Sequence, residues 1–326
     1  MNNASPLCEI LGIELPLLLA PMANVAGGRL AAAVSQAGGL GLIGGGYGDP
    51  EWLGAELAAA AGAAVGVGFI TWRLAVAPLV LELALAAKPR AVLLSFGDIA
   101  PFVPAIRAVG AAVIAQVQSV AQAHAALVAG ADVLVAQGSD AGGHAGTRGT
   151  LALVPAVVDV AGTLPVVAAG GIADGRGIAA ACMLGASGVM LGSRFYASRE
   201  SLAPTKAKQA LLAASGDDTV RGAVFDRLRG WTWPRGYSLR TLANDMTARW
   251  PAEATELDND LVAQRAEFER AVASGDTRLA PVIAGEAADL IHDLPPAGEI
   301  VMRVMAEARA LLTAGPSWSD KFRNSS

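Results

Sequence analysis

The sequence predicts a (β/α)8 TIM barrel of the α/β class, and three observations predict it. Short runs rich in Leu, Val and Ile alternate with Ala-rich segments of helical spacing. About eight such units fit into the first ~200 residues, which suits a closed parallel barrel better than an open sheet. Glycines stand where left-handed helix caps belong, at Gly38, Gly62, Gly110, Gly130 and Gly185.

Taken in order, residues 15–21 hold the first Leu-rich strand, and 29–37 its Ala-rich helix. Leu40, Leu42 and Ile43 mark a second strand over 39–44, followed by a helix over 51–61. The third strand, 64–70, carries Val65, Val67 and Ile70, and the helix at 74–87 follows it. Val92, Leu93 and Leu94 define a strand over 91–96, before a helix at 101–109. Strand 113–117 leads to helix 121–128, and strand 133–137 to helix 154–160. Strand 165–169 leads to helix 177–184, and 188–191 is the eighth strand. Parallel strands joined this way require right-handed crossovers.

The texture changes after Ser198. Residues 1–198 are therefore the barrel core. Residues 199–285 are more charged, carry Trp231, Trp233 and Trp250, and lack the alternation. They are expected as helical decoration, a lid inserted before the last barrel helix. Residues 286–316 supply that closing helix, with a turn at Pro295-Pro296, and 317–326 form a polar tail.

Composition excludes several functions. Hydrophobic residues make up 53% and charged residues 16%, so the chain buries a large core. A net charge of −5 argues against a nucleic-acid surface. The uncharged stretch 57–72 is shorter than the ~20 residues of a spanning helix, so no membrane partner is expected. With only Cys8 and Cys182 and no positive residue before the first apolar stretch, the expected setting is the cytoplasm. Cys182 falls in an apolar helical segment and reads as core. The apolar composition and the tryptophans point to a homodimer.

Active sites of such barrels lie at the C-terminal ends of the strands. Two residue pairs there carry a mechanism. Gly170-Gly171 follows the seventh strand, and Gly192-Ser193 the eighth. Glycines let backbone N–H groups approach an anion, and this is the usual phosphate site of the fold. Tight turns alone would also explain either pair. Both pairs together, with the Ser193 hydroxyl, favour phosphate. The segment Ser139-Asp140-Ala141-Gly142-Gly143-His144 follows the sixth strand. His144 is placed to exchange protons near neutral pH. His124 and His292 sit in helical segments and read as structural. No pair of histidines has ligand spacing, so no metal is expected.

Three stretches together make the chain resemble the nitronate monooxygenases, formerly 2-nitropropane dioxygenases. They are Ala20-Pro21-Met22 with residues 30–35, Ala141-Gly142-Gly143-His144, and 169–176 leading to Gly192-Ser193-Arg194-Phe195. The resemblance covers about 13–197 and returns at 285–312. It implies a flavoprotein monooxygenase that binds FMN and oxidises alkyl nitronates or nitroalkanes with O2. It implies His144 as general base and Met22 against the flavin ring, with Ala20, Pro21 and Phe69 beside it. Gln116 would reach the polar edge of the ring, and Asp140 and Gly143 the ribityl chain. Gly170, Gly171, Gly192 and Ser193 would hold the phosphate.

Two positions depart from the family pattern. Some relatives have lysine at Gln116, and relatives often have asparagine at Gly68. The stretch 225–244, with Trp231, Trp233, Tyr237, Arg240 and Asn244, would be the substrate lid. Related flavin barrels keep two alternatives open, an FMN-dependent NAD(P)H:quinone reductase and an enoyl-thioester reductase. A flavin-free isomerase or lyase using the same phosphate site is a third.

Overall fold

The computed structural model describes residues 5–250 and 261–315; the tail expected at 317–326 lies outside the described residues. Eight parallel strands form the barrel. They are β1 (Leu17–Leu19), β2 (Leu42–Gly44), β3 (Gly66–Ile70), β4 (Ala91–Ser95), β5 (Ala112–Val117), β6 (Val133–Gln137), β8 (Val166–Ala169) and β9 (Gly188–Leu191), with β7 (Gly143–Ala145) lying outside it. Their order is β1-β9-β8-β6-β5-β4-β3-β2. The ring closes where Leu18 bridges Leu40 in parallel. There Leu19 N–H donates to Leu40 C=O, and Leu40 N–H to Leu17 C=O, both at 2.9 Å.

Each strand is buried on both faces, which explains why the runs read as continuous rather than alternating. Leu18, Leu42, Leu93, Ile114, Val135 and Val167 fill the interior. Leu19, Ile43, Val67, Leu94 and Leu191 point outward against the helices. All five expected cap glycines have positive φ. Helix Thr150–Ala161 begins one turn earlier than expected and holds Pro155 inside it.

A short helix, Pro6–Leu11, plugs the barrel floor with Leu7 and Leu11. At the other end, β10 (Thr219–Gly222) and β11 (Ser238–Leu242) form an antiparallel sheet with β7. Strands here were not expected, since the sequence predicted helices alone over 199–285. β10 and β11 are short and carry Arg221 and Arg240, so they lack the apolar signature of the barrel strands. The closing helix is Ala297–Ala314, beginning after Pro296, and 286–290 form a separate 3-10 turn. Cys182 corrects another expectation. It is exposed, because Ile178 and Ala181 occupy the inner face of helix Gly175–Met183. None of the described helices is long and apolar enough to cross a membrane.

Candidate active site

A cavity of about 910 Å³ opens at the C-terminal end of the barrel, between the strand ends and the insertion. Its size falls within the range of small-molecule and cofactor sites. Ala20, Pro21, Met22, Phe69, Gln116, Gly143, His144, Gly170, Gly171, Gly192 and Ser193 all line it. Asp140 does not. Its carboxylate turns away and accepts the Thr150 N–H at 2.6 Å, at the start of the following helix. Burial raises the Asp140 pKa, but hydrogen bonds from Thr150 outweigh it and hold the carboxyl below its ordinary range.

One wall carries open donors. The backbone N–H groups of Gly171, Gly192 and Ser193 find no acceptor among the described residues. All three residues border the same cavity. Gly170 and Gly171 have φ of +101° and +69°, so the turn after β8 needs glycine for its own shape. Gly192 has an ordinary φ, and a Cβ there would touch only Ala20 Cβ at 3.6 Å and Met22 Sδ at 3.8 Å. It keeps open a cradle that a side chain would fill. The Ser193 hydroxyl accepts the Gly285 N–H at 2.9 Å and retains its own proton for donation. A phosphate monoester fits this donor set.

The opposite wall holds His144. Its backbone lies in β7, paired with Leu239 of β11. Gly143, with φ +79°, turns the chain into that strand. The imidazole is 8% exposed. Its Nε2 lies 2.8 Å from Oδ2 of Asp226, which is 3% exposed on helix Val224–Arg229. The ring stacks on Trp233, with centroids 3.4 Å apart and planes 11° apart. Phe96 meets it edge-on. Burial lowers the His144 pKa, and the Asp226 carboxylate only partly restores it, so the ring is neutral at pH 7.

Between the walls sit amides and aromatics. Gln116 and Gln118 both donate to the Gln137 side-chain oxygen, at 3.0 and 2.9 Å. Tyr47 stacks on Trp231 at 4.7 Å. Burial, reinforced by the Asp226 charge, pushes its hydroxyl up to about 12, so Tyr47 stays protonated and can donate but not act as a base. Trp231 and Trp233 line the cavity. Tyr237 sits behind it, accepting from Gln122, while Asn244 caps helix Asp245–Arg249. Arg240 pairs with Glu286 at 2.6 Å. Asp226, Tyr47 and Gln137 were not singled out from the sequence. Among the described residues no group of His, Cys, Asp or Glu side chains is gathered for a metal ion.

Gly68 explains one departure from the family pattern. A Cβ there would stand 2.3 Å from both Cβ and Cγ of Pro21. The proline ring occupies the space that a side chain on β3 would need. Gly68→Asn is therefore expected to destabilise the fold by about 1–3 kcal/mol, the usual cost of overpacking. A lower denaturant midpoint at unchanged slope would record it. An unaltered midpoint would show that Pro21 yields freely.

The family model for nitronate monooxygenase matches residues 4–66 and 69–307. Nitronate monooxygenase npaC of Metarhizium robertsii is 38% identical, over 92% of each chain. The structure of FabK from Thermotoga maritima superimposes with a TM-score of 0.84 at 31% identity, covering 98% of this chain and 99% of that one. Nitroalkane oxidase from Streptomyces ansochromogenes gives a TM-score of 0.79 at 28% identity, covering 95% and 99%.

Proposed function

The chain belongs to the nitronate monooxygenase family, and from that premise we propose that it holds FMN and oxidises alkyl nitronates and nitroalkanes with O2. One observation carries the reading. Three open backbone donors and one buried, neutral imidazole face a single cavity. The donors of Gly171, Gly192 and Ser193 would take the phosphate. Met22, Phe69 and Gln116 would border the ring. The flavin, when bound, supplies the redox chemistry, accepting electrons from the substrate and passing them to O2.

The protein supplies the rest. His144 removes a proton from the carbon beside the nitro group of a neutral nitroalkane. A preformed nitronate has already lost that proton. Trp233, Trp231 and Phe96 exclude water around the imidazole. Gln116, neutral where some relatives carry lysine, leaves the polar edge of the ring with weaker support for negative charge.

Visible spectroscopy of the purified protein, followed by anaerobic titration with a nitronate and then NADH, tests this. A flavin spectrum bleached by the nitronate is expected. Rapid bleaching by NAD(P)H and none by nitronates would favour the reductase reading. A colourless protein that takes up no FMN would favour the flavin-free isomerase or lyase.

The pH dependence has a definite sign. Burial sets the His144 pKa below the ordinary 6.5. A base works only when deprotonated. For a neutral nitroalkane, kcat/KM should therefore rise with pH through a midpoint below 6.5 and level off by neutrality. The same depressed group contributes stability above pH 6.5 that is lost as pH falls through its folded-state range. A rising limb centred well above 6.5 would contradict the burial of His144.

A further inference from the structure

We propose that Asp226 is the positioning residue of His144, holding the imidazole as its Nε2–H tautomer so that Nδ1 is the atom that meets the substrate. This deepens, and rests on, the reading of His144 as the base. Three observations carry it.

The first is the contact itself. Oδ2 of Asp226 lies 2.8 Å from Nε2, with the two side chains 5% and 7% exposed. A carboxylate oxygen accepts and does not donate, so this contact selects the tautomer with the proton on Nε2. The second is the price of the arrangement. Oδ1 of Asp226 is enclosed with no hydrogen-bond partner among the described residues. A buried carboxylate with one oxygen unpaired is unfavourable for folding, and an apolar side chain on this face, beside the buried Val224, Phe225 and Leu228, would pack at lower cost. Stability alone therefore does not account for it. The third is the freedom of the other nitrogen. Nδ1 has no partner among the described residues, yet it is not among their enclosed unpaired atoms, so it keeps some exposure. His144 borders the cavity, so Nδ1 is reachable from there.

The rest of the surround locks the ring. Trp233 covers one face at 3.4 Å, Phe96 stands against it edge-on, and β11 pairs with its backbone. The charges that reach it are Asp226 and Arg229 from helix Val224–Arg229, and Arg221 from β10. Tyr47, beside Asp226, stays protonated. Of these, Asp226 favours an imidazolium and both arginines oppose it.

The step balances simply. Nδ1 takes the proton from the substrate carbon. The C–H electron pair moves into the nitro group, giving the nitronate. The imidazole becomes a cation whose charge faces the Asp226 carboxylate through Nε2–H.

Nitrogen-15 NMR of the histidine side chains in the holoenzyme tests this without reference to turnover. His144 is identified by its loss in His144→Asn. A neutral Nε2–H tautomer at pH 7 is expected. In Asp226→Asn the amide donates to Nε2 and imposes the Nδ1–H tautomer. Turnover of neutral nitroalkanes should then fall by up to about 10⁴-fold, as when an orienting carboxylate of a catalytic histidine becomes an amide. Preformed nitronates should lose much less. An Nδ1–H tautomer in the wild type overturns the proposal, and so does an unchanged tautomer in Asp226→Asn. If that variant does not fold, the wild-type spectrum decides alone. Failure of the base reading looks different: His144→Asn would then impair nitroalkane and nitronate turnover equally, whatever the tautomer.

Discussion

His144→Ala retains its flavin but loses about 10²–10⁴-fold in kcat/KM on neutral nitroalkanes, the usual worth of a positioned general base. That loss corresponds to about 2.7–5.5 kcal/mol of transition-state stabilisation. Preformed nitronates should suffer far less, because they arrive without the proton that His144 removes. The comparison of two substrates matters more than either rate alone. A general collapse of the cavity would depress both, whereas loss of a base depresses only one. His144→Ala also strands Asp226, whose Oδ2 has no other side-chain partner among the described residues. Leaving a buried acceptor without its donor costs about 1–3 kcal/mol, and more where the acceptor is charged. His144→Asn is the control, since its amide can still donate to Asp226 while offering no basic nitrogen. Steady-state rates on a nitroalkane and on its nitronate, with flavin content and thermal midpoint measured alongside, decide the matter. Equal losses on both substrates in the asparagine variant would remove His144 from proton transfer.

The barrel was legible because its signals are local. A strand buried on both faces must be apolar throughout, so Leu17–Leu19 and Ala91–Ser95 announce themselves in a few residues. The glycine pairs and His144 were legible for a related reason. In this fold the strand end is the site, so position along the chain gives position in space. The insertion offered no such rule. β10 is half-exposed and β11 is almost wholly buried, yet both carry arginines, and nothing in their composition separates them from loops. Asp226 was illegible because its partner lies 82 residues away. One feature hinted at it: a lone acid among Val224, Phe225 and Leu228, all of them buried. Asp140 shows the opposite error. It stands two residues before the Gly142-Gly143 pair, yet its carboxylate serves the next helix. Spacing placed its backbone correctly and said nothing about where its side chain turns.

The insertion and the barrel divide the work. The barrel supplies the open amides after β8 and β9 from turns that its own closure dictates. The insertion reaches His144 on three sides, through Leu239, Asp226 and Trp233. Changes in the insertion should therefore alter proton transfer and substrate choice before they alter cofactor retention. Changes in the glycine turns should do the reverse.

Gly192→Val is the sharpest case of that reverse, with FMN binding expected to weaken about 10–100-fold while the fold survives. The reasoning starts from space. A Cβ at Gly192 meets nothing nearer than 3.6 Å, and the backbone there has φ −108°, which any residue can adopt. The protein itself therefore tolerates a side chain. The added methyl groups project into the cavity, where they stand between the phosphate and the N–H groups of Gly192 and Ser193. Losing one charge-assisted hydrogen bond costs about 1.5–3 kcal/mol, which gives that range of affinity. Gly170→Val would be a poor substitute. Its Cβ would lie 2.9 Å from Gly138 C=O and from the Thr150 hydroxyl, and its φ of +101° strains any side chain. Loss of flavin there would confound folding with binding. Titration of FMN into the apoprotein, alongside thermal unfolding without flavin, separates the two at Gly192. A lower affinity at an unchanged apoprotein midpoint is the expected pair of results. Unchanged affinity would mean that the amides after β9 hold no phosphate, and the cavity would need another tenant.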